Sequence, residues 1–443
     1  MWQKLKSLIN KTGFVKIYIF GFLLNLFFSY HHVILTKNAY LTGAYSDFTS
    51  FSLYSSDLLI IFGFLVYFLP NISHIWQKLT PKPLKFLVLW LLIITIFHPN
   101  SPNLSLNLWF LVKFLKLVVS YGTFAYLFSK YNLFGLFIKT FVWFCAFESI
   151  LALVQFTKQS SIGLYRLGES HIGPNIAGVA KIVSGGTTYI RGYGTFPHPN
   201  LLSAFLVTGI FLTIYLLLSS QTIKSRIIYS ALLFVNIFGL TLTFSRGAYL
   251  ALGVGFIIFF GLLLWRQTLS LIKFTLIVTA VSLLTSLILF KPFLLIRATF
   301  SGQATIERGQ YNKAGLKMIK THPLFGIGMG ESALQMEQYA GKPLKPWEKQ
   351  PVHNYFIATT AELGIPGGLI LVWFLFSILK TISYKLKIYP STYYLLFTTI
   401  FCSFLVLMMF DHYFYTLQQT QLLLWIILAI TASEIKNPQE GDL

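Results

Sequence analysis

The sequence is poor in charged residues, and above all in acidic ones. Only 13 of its 443 residues are Asp or Glu, and all charged residues together make up 11% of the chain. In soluble domains about a quarter of the residues are charged, so this composition excludes a soluble globular domain. Because 55% of the residues are hydrophobic, the chain is predicted to be an integral membrane protein.

Cysteine is scarce as well. Cys145 and Cys402 each lie within an apolar run, which excludes a disulfide framework and a cysteine-based metal site. Acids are few and no ligand pair has metal-site spacing. The glycines of residues 326–330 follow no predicted strand, so they indicate a backbone turn rather than a dinucleotide fingerprint. We therefore expect neither a metal ion nor another cofactor.

The charge that remains is basic, with 34 Lys and Arg residues and a formal net charge of +21. Nucleic-acid binding would require a basic soluble domain, which the sequence lacks. Basic residues of a membrane protein mark its cytoplasmic loops and contact anionic headgroups. Membrane lipids are therefore the expected partners, and nucleic acid is not. The sequence does not determine the oligomeric state.

Long apolar runs dominate the sequence and predict an all-α integral membrane protein with about 12 transmembrane helices. Hydrocarbon about 30 Å thick requires runs of this kind. They cover residues 14–29, 57–69, 84–97, 106–128, 133–156, 201–219, 227–243, 247–264, 271–290, 354–380, 393–409 and 416–432.

The short loops between these runs alternate in charge. With the N-terminus inside, nearly all basic residues of the short loops lie on the cytoplasmic side, and only Lys37 and Arg246 lie on the other. This asymmetry predicts a multi-pass protein of the cytoplasmic membrane with both termini in the cytoplasm.

Two long connections, residues 157–200 and 291–353, then lie outside. In the second, Tyr311, Ala314 and Met318 recur at helical spacing with lysines on the opposite face. This pattern predicts an amphipathic helix over residues 304–320 that lies on the membrane.

The chain thus divides into four regions. Residues 1–156 form five N-terminal transmembrane helices, and residues 157–200 form the first external loop. Residues 201–432 form a membrane region that includes the loop 291–353 and most candidate catalytic residues. Residues 433–443 form a polar cytoplasmic tail.

The most distinctive polar segment is residues 191–200, RGYGTFPHPN, directly before an apolar run. Irregular backbone at membrane depth is tolerated only where it lines a cavity or faces water, so the segment predicts a site. Arg191 here and Arg246 between two spans could bind a diphosphate bidentately, which lysine cannot do. The alternative for Arg246 is a headgroup anchor at a span end.

Histidines gather at the same predicted face. His198, His322, His353 and His412 lie near span ends or in the external loops, and a neutral imidazole suits the role of general base for a hydroxyl group. Asp411 and His412, between the last two spans, could orient such a base or cap a turn. The alternative is that these histidines cap helix ends. His353 and Asn354 stand at the start of a span after a polar loop, so His353 is the preferred general base. We expect its imidazole to titrate near neutral pH.

These motifs, taken in order, resemble those of the bacterial O-antigen ligase and polymerase superfamily. The resemblance is carried by residues 191–200, by TFSRG at 243–247, by Arg308 followed by THPLFGIG at 321–328, by VHN at 352–354 and by AELG at 361–364. It covers residues 191 to about 364, whereas the first five spans carry no matching motif.

The resemblance implies a membrane glycosyltransferase that is metal-independent and inverting. Its donor would be a glycan on a polyprenyl diphosphate such as undecaprenyl diphosphate, and its acceptor a hydroxyl of a glycan or lipid outside the membrane. Arg191 and Arg246 would bind the diphosphate and His353 would be the base. His198, Asn200, His322 and Asn354 would shape the pocket, and Arg308 would assist with phosphate or sugar.

Three alternatives remain open from the sequence. A surface-polysaccharide polymerase would extend lipid-linked repeat units with the same motifs, and the sequence does not show whether the host makes lipopolysaccharide. A lipid-glycan flippase or other transporter would place polar residues near mid-membrane and show internal repeats, neither of which is evident. A purely structural membrane scaffold is the third.

Overall fold

The computed structural model describes residues 11–97, 102–265, 269–298, 303–388 and 391–433. Apart from Ser433, the predicted cytoplasmic tail lies outside the described residues. The longer helices are α1 Lys11–Phe27, α2 Ser55–Leu79, α3 Lys82–Phe97, α4 Leu104–Lys130, α5 Phe134–Lys158, α6 Pro199–Leu218, α7 Ile223–Leu242, α8 Arg246–Trp265, α9 Leu269–Leu289, α10 Lys291–Ala298, α11 Gln303–Thr321, α12 Ser332–Ala340, α13 Tyr355–Ile388, α14 Thr392–Phe410 and α15 Gln418–Ala432.

Helices cover each of the apolar runs. Within the described residues, nine helices are long and apolar enough to cross a membrane, and α1 and α15 are shorter apolar helices. A helix satisfies its own backbone hydrogen bonds, which hydrocarbon demands. The prediction of an all-α multi-pass membrane protein is therefore confirmed. The count of twelve crossings and the sides assigned to the two long loops stay predictions.

Two small antiparallel hairpins interrupt the helices. Strands β1 His31–Ile34 and β2 Phe51–Tyr54 pair between α1 and α2, and strands β3 Lys181–Ser184 and β4 Thr187–Ile190 pair between α5 and α6. Both hairpins add structure to connections in which the sequence analysis predicted no strands.

Helix α6 forms the centre of the bundle. In the most apolar 18-residue stretch of α6, 94% of the residues are buried inside the protein. The helix packs against α5, α7 and α14. Pro199 begins the helix, where its missing N–H costs no hydrogen bond, and the residue before it, His198, has an extended backbone. The segment 191–200 therefore enters the bundle at the most buried of the candidate spans.

Helix α11 confirms the predicted amphipathic helix of residues 304–320, but its apolar face does not lie on the membrane. Tyr311, Ala314 and Met318 are buried in a separate core cluster with residues of α12 and the start of α13. A Cβ added at Gly315 would lie 2.8 Å from the side chain of Val352. The periodicity correctly predicted a buried face, but protein covers that face, which corrects the membrane-surface interpretation.

A break in α13 ties the unit formed by α11 and α12 to the bundle. Gly364 has φ 74° and ψ 170° inside the helix, a combination that is essentially restricted to glycine. The turn of residues 326–330 packs into the break: Ile327 N donates to Ala361 O, and Gly330 N donates to the Glu362 carboxylate over 2.6 Å. The glycines of 326–330 thus form a backbone turn, as the sequence indicates.

We expect Gly364→Ala to lower the melting temperature of the purified protein far more than Gly253→Ala does. A Cβ at this position would lie 2.1 Å from Leu324 O, and the backbone conformation costs an L-residue a further 1–3 kcal/mol or so. Gly253→Ala is the matched control, because nothing lies within 4 Å of its added Cβ. Equal melting temperatures in detergent for the two variants would contradict the proposed role of the break.

Candidate functional site

The segment 191–200 is held by two buried side chains of α5. The Glu148 carboxylate accepts from Thr195 N over 2.7 Å and from Thr195 Oγ1 over 2.8 Å. The amide of Gln155 donates to Gly194 O and accepts from Gly194 N. Buried polar groups are costly unless they are paired, so these contacts fix the loop in one conformation. Glu148 therefore has a positioning role in the fold.

Three arginines converge on the turn between α7 and α8. Arg191 Nε donates to Thr243 O over 2.6 Å, and Arg297 Nε donates to the next carbonyl, Phe244 O, over 3.2 Å. Arg246 begins α8 two residues later and donates to Thr305 Oγ1 over 2.7 Å. Phe244 has φ 46°, an uncommon conformation for a bulky residue. The strained turn thus gathers three guanidinium groups.

Burial and mutual repulsion act on these cations. Burial, and next the charge of Arg297, lowers the pKa of Arg191 to about 9. Burial and the charge of Arg246 lower the pKa of Arg297 as well. Both groups remain cationic at neutral pH. A cluster whose cations repel one another gains stability from an anion between them, so the arrangement favours anion binding.

A polar network joins this cluster to Asp411 at the end of α14. Arg191 Nη2 donates to Asn200 Oδ1 over 2.8 Å, and Asn200 Nδ2 donates to Asp411 Oδ2 over 2.9 Å. Arg308 of α11 forms an ion pair with the same carboxylate oxygen at 3.1 Å. Burial opposes ionisation of Asp411, but Arg308 and the neighbouring histidines outweigh it and hold the pKa of Asp411 below its usual value.

His353 lies beside this network with its ring fixed on both faces. The ring of Tyr311 stacks on it at 5.0 Å, and the ring of His412 meets it edge-on at 4.7 Å. His353 Nδ1 lies 3.0 Å from Pro351 O. A carbonyl can only accept, so Nδ1 carries the proton and Nε2 keeps its lone pair. This is the tautomer that a general base requires.

Burial keeps the site histidines neutral. Burial, aided by His412 and Arg308 against the effect of Asp411, lowers the pKa of His353 to about 3. Burial, aided by Arg191, lowers the pKa of His198 to about 3. The sequence alone predicted a base that titrates near neutral pH. The structure favours a lower pKa than this, because the half-buried ring lies among packed side chains with Arg308 nearby.

The remaining predicted residues have other local roles. His198 Nδ1 accepts from Asn200 N at the start of α6, and Asn354 Oδ1 accepts from the first N–H groups of α13. Both residues cap helices at the rim of the site. His322 follows the end of α11, about 20 Å along the helix from Arg308, so the structure does not bring it to the cluster. The roles of these residues in substrate binding stay predictions.

The sequence assigned no definite role to three residues of the site. Arg297 follows an apolar stretch and resembles a headgroup anchor. Asp411 and His412 are adjacent residues that suggest only a capped turn or an oriented base, because their partners lie far away along the chain. A fourth contribution comes from the first loop, where the ring of Phe48 meets His412 edge-on at 5.5 Å. Sequence spacing alone does not reveal such contacts.

His353, Asp411 and His412 also form a group that could hold a metal ion. Each offers one ligand atom, and these atoms lie within 4.8 Å of one another. The arginines around the group disfavour a further cation, and one Asp411 oxygen already accepts from Arg308 and Asn200. Metal independence therefore stays part of the proposal below, where a chelator tests it.

Comparison with known families identifies the segment that holds most of these residues. Residues 230–372 match the family model described as O-antigen ligase. This segment is an O-antigen ligase domain. It contributes Arg246, Arg297, Arg308 and His353 to the site, whereas Arg191, Asn200 and Asp411 lie outside the matched residues. No curated protein matches the chain.

The O-antigen ligase domain confirms the resemblance found in the motifs. It also places the family assignment on a defined part of the chain: helices α8 to α12 and parts of α7 and α13. The N-terminal half is not matched, yet it contributes Glu148 and Gln155, which hold the segment 191–200 in place. The site is therefore built from matched and unmatched parts of the chain together.

Proposed function

We propose that the protein is a membrane glycosyltransferase of the O-antigen ligase type. It transfers a glycan from a polyprenyl diphosphate carrier to an acceptor hydroxyl on the external face of the cytoplasmic membrane. The observation that supports this most is the arginine cluster of Arg191, Arg246 and Arg297, joined through Asn200 and Asp411 to a neutral, oriented His353. An anion site beside a base is what transfer from a diphosphate requires.

The proposed reaction uses each part of this arrangement. Arg246, Arg308 and Arg297 bind the diphosphate, with Arg191 beneath them. The acceptor oxygen attacks the anomeric carbon from the face opposite the diphosphate, while His353 Nε2 takes the hydroxyl proton. The new glycosidic bond forms as the bond to the diphosphate oxygen breaks, which inverts the anomeric centre. The arginines stabilise the charge that develops on the leaving diphosphate.

Arg191, Asn200 and Asp411 position the groups that react. The sequence predicted that Arg191 binds the diphosphate directly. Because Arg191 is buried with two of its nitrogens donating to protein acceptors, we revise this and propose that its main role is to fix the turn that presents Arg246. Asp411 anchors Arg308 and lies next to His412, whose ring contacts His353. Its negative charge also favours the imidazolium that forms when His353 takes the proton.

A purified-protein assay tests the proposal. With a polyprenyl-diphosphate-linked glycan and an acceptor hydroxyl, we expect release of free carrier diphosphate together with a new glycosidic bond. We expect this reaction to continue in EDTA without added nucleotide. Loss of transfer in EDTA and its recovery with a divalent cation would contradict metal independence and point to His353, Asp411 and His412 as ligands. No transfer with any acceptor would contradict the proposed reaction.

The proposed orientation is tested by cysteine labelling. In a background without Cys145 and Cys402, single cysteines replace Asn175, Lys342 or Lys387, which are all exposed. An impermeant thiol reagent applied to intact cells or spheroplasts should label Asn175→Cys and Lys342→Cys, and should label Lys387→Cys only after lysis. Labelling of Lys387→Cys alone in intact cells would place the site on the cytoplasmic side and contradict the proposal.

A polymerase that extends lipid-linked repeat units is the second candidate function, because the same chemistry serves a glycan acceptor that is itself lipid-linked. A flippase or transporter is the more distant alternative. The described cluster of arginines and histidines gathers at one end of the helices, near the starts of α6, α8 and α13. A transporter would be expected to place its polar residues near mid-membrane.

A further inference from the structure

A polar cavity lies against the segment 191–200, beside Thr195 and Pro197. It measures about 270 Å³ and is bounded by the ends of α1 and β2, the loop after α5, Thr195–Pro197 and the start of α15. Pockets that bury drug-sized ligands begin at about 300 Å³, so this cavity fits a smaller body such as a single pyranose ring. The reaction proposed above does not use it.

Aromatic rings line much of the cavity. Tyr30 and Tyr165 are 60% and 43% exposed and border it. Pairing of β1 with β2 aligns His31 with Tyr54, and their rings stack at 5.0 Å. The ring of His171 stacks on Tyr165 at 4.1 Å and fixes its orientation. Tyr54 and Tyr165, each stacked on a neighbouring ring, and the exposed Tyr30 thus bring flat apolar surfaces to the cavity.

Polar groups complete the lining. The Glu169 carboxylate accepts from Ile162 N, Leu164 N and Gln155 Nε2. A carboxylate has about four lone-pair positions, so it is fixed and still has capacity for one further donor. Gln418 and Gln419 also line the cavity, and their side-chain nitrogens donate to Asp57 and to the carbonyls of Leu26 and Phe27, which fixes the two side chains.

Flat aromatic surfaces with fixed hydroxyl-binding groups match the chemistry of a sugar. The C–H groups on one face of a pyranose carry slight positive charge and pack on the negative face of an aromatic ring. Its hydroxyls donate to carboxylates and amides. A lipid tail would instead require an apolar lining without the carboxylate.

The cavity shares its supports with the site of the arginines and histidines. Gln155 bonds both to Glu169 and to Gly194. Pro197 of the cavity wall directly precedes His198, and Leu417 follows closely after Asp411 and His412 on the chain. The loop that joins β1 to β2 reaches the site through Phe48. A glycan chain with one sugar in this cavity would therefore extend toward His353.

We propose that this cavity is a sugar-binding subsite that holds one pyranose unit of the glycan donor or of the glycan acceptor. This deepens the proposed function and rests on it for the choice between donor and acceptor. The binding itself depends only on the cavity and can be measured without any transfer reaction.

The first experiment measures binding of free sugars. Methyl glycosides of common hexoses, deoxyhexoses and N-acetylhexosamines are offered at millimolar concentration to the full-length protein in nanodiscs, and saturation-transfer NMR detects contact. We expect at least one glycoside to bind wild type, with an affinity about tenfold lower in Tyr30→Ala and Tyr165→Ala. Tyr40→Ala is the matched control, because Tyr40 is 52% exposed but does not line the cavity.

Two outcomes would overturn the proposal: no saturation transfer to any glycoside in wild type, or equal transfer in wild type, Tyr30→Ala and Tyr165→Ala. Melting temperatures of all variants, measured alongside, show that the chains are folded. A more conservative change, Tyr165→Phe, keeps the ring and should keep the stacking, so it should retain most of the binding.

The second experiment distinguishes donor from acceptor. In the transfer assay, Tyr165→Ala should raise KM about tenfold for one substrate and leave KM for the other unchanged. The substrate affected is the one whose sugar occupies the cavity, and unchanged KM for both substrates would overturn the proposal. If the protein shows no transfer at all, the proposed function fails, and the glycoside measurement still decides the subsite by itself.

Discussion

His353→Ala is expected to lower the rate of glycan transfer by about 10²–10⁴-fold while the protein still binds its donor. Positioned general bases contribute about this much, and His353 presents an unprotonated Nε2 because its Nδ1 donates to Pro351 O. His353→Gln should lose a similar factor, because an amide keeps the hydrogen-bonding ability but does not take up a proton. Transfer is measured as release of carrier diphosphate in the presence of an acceptor hydroxyl.

The control is His74→Ala, which removes an exposed histidine that lies at the other end of the bundle in the proposed orientation. His322→Ala is the informative comparison, since the structure separates His322 from the site. Wild-type turnover in His353→Ala would contradict the assignment of His353 as the general base. Turnover lost in His322→Ala but kept in His353→Ala would move that assignment to the end of α11.

The pH dependence of the wild-type reaction follows from the same surroundings. With its pKa lowered to about 3, His353 is already neutral throughout pH 5–8, so its titration should leave kcat/KM flat in this range. The value should fall only as the pH drops toward 3 and the base becomes protonated. A bound diphosphate favours the imidazolium, so the profile of kcat should bend at a higher pH than that of kcat/KM. A tenfold rise in kcat/KM between pH 5 and 6.5 that disappears in His353→Gln would contradict the buried, neutral base.

The products of the same assay separate the two candidate functions. A ladder of lengthening lipid-linked chains from donor alone identifies a polymerase, because the donor then also serves as acceptor. Transfer of the glycan en bloc, and only to a separate acceptor, identifies a ligase. The motifs favour a ligase slightly, so we expect the second outcome.

The helices were predictable from sequence because a membrane allows few alternatives. Apolar runs long enough to span hydrocarbon must satisfy their own backbone, so the run of residues 201–219 had to become a helix, as α6 shows. The loops were less predictable. The apolar face of α11 could be seen in the periodicity of Tyr311, Ala314 and Met318. What covers that face depends on α12 and α13, which the pattern does not specify.

A residue of the site could be predicted from the sequence where an arginine interrupts apolar sequence. It could not be predicted where its role depends on a partner far away along the chain. Arg246 has apolar sequence on both sides, and this position predicts a functional arginine. Arg308 and Asp411 lie 103 residues apart along the chain, so no local sequence pattern predicts their ion pair. Glu148 is an acid within the apolar run of residues 133–156, but the sequence does not show that it pairs with the backbone of Thr195. Long-range polar partners are set by tertiary structure.

Arg246→Lys is expected to lower glycan transfer by about 10²–10³-fold without lowering the melting temperature. The factor is typical for loss of one strong charge-assisted contact in a transition state. Lysine keeps the positive charge but has no planar fork to bind two diphosphate oxygens at once. Arg246 is only half-buried, so its replacement should leave the fold intact.

Arg191→Lys should behave differently, and the contrast tests the division of roles. Arg191 donates through Nε to Thr243 O and through Nη2 to Asn200 Oδ1, and a single ammonium group is poorly placed to replace both contacts. We therefore expect both transfer and melting temperature to fall in Arg191→Lys. Arg226→Lys, at the far end of α7, is the control and should change neither quantity.

Inhibition by inorganic pyrophosphate supplies a measurement that does not depend on glycan chemistry. If Arg246 contacts the diphosphate, pyrophosphate should inhibit the residual activity of Arg246→Lys more weakly than it inhibits wild type. Arg226→Lys should show the wild-type inhibition constant. Wild-type transfer rates and wild-type pyrophosphate inhibition in both Arg246→Lys and Arg191→Lys would show that the arginine cluster only anchors the turn, and the diphosphate would then have to bind elsewhere.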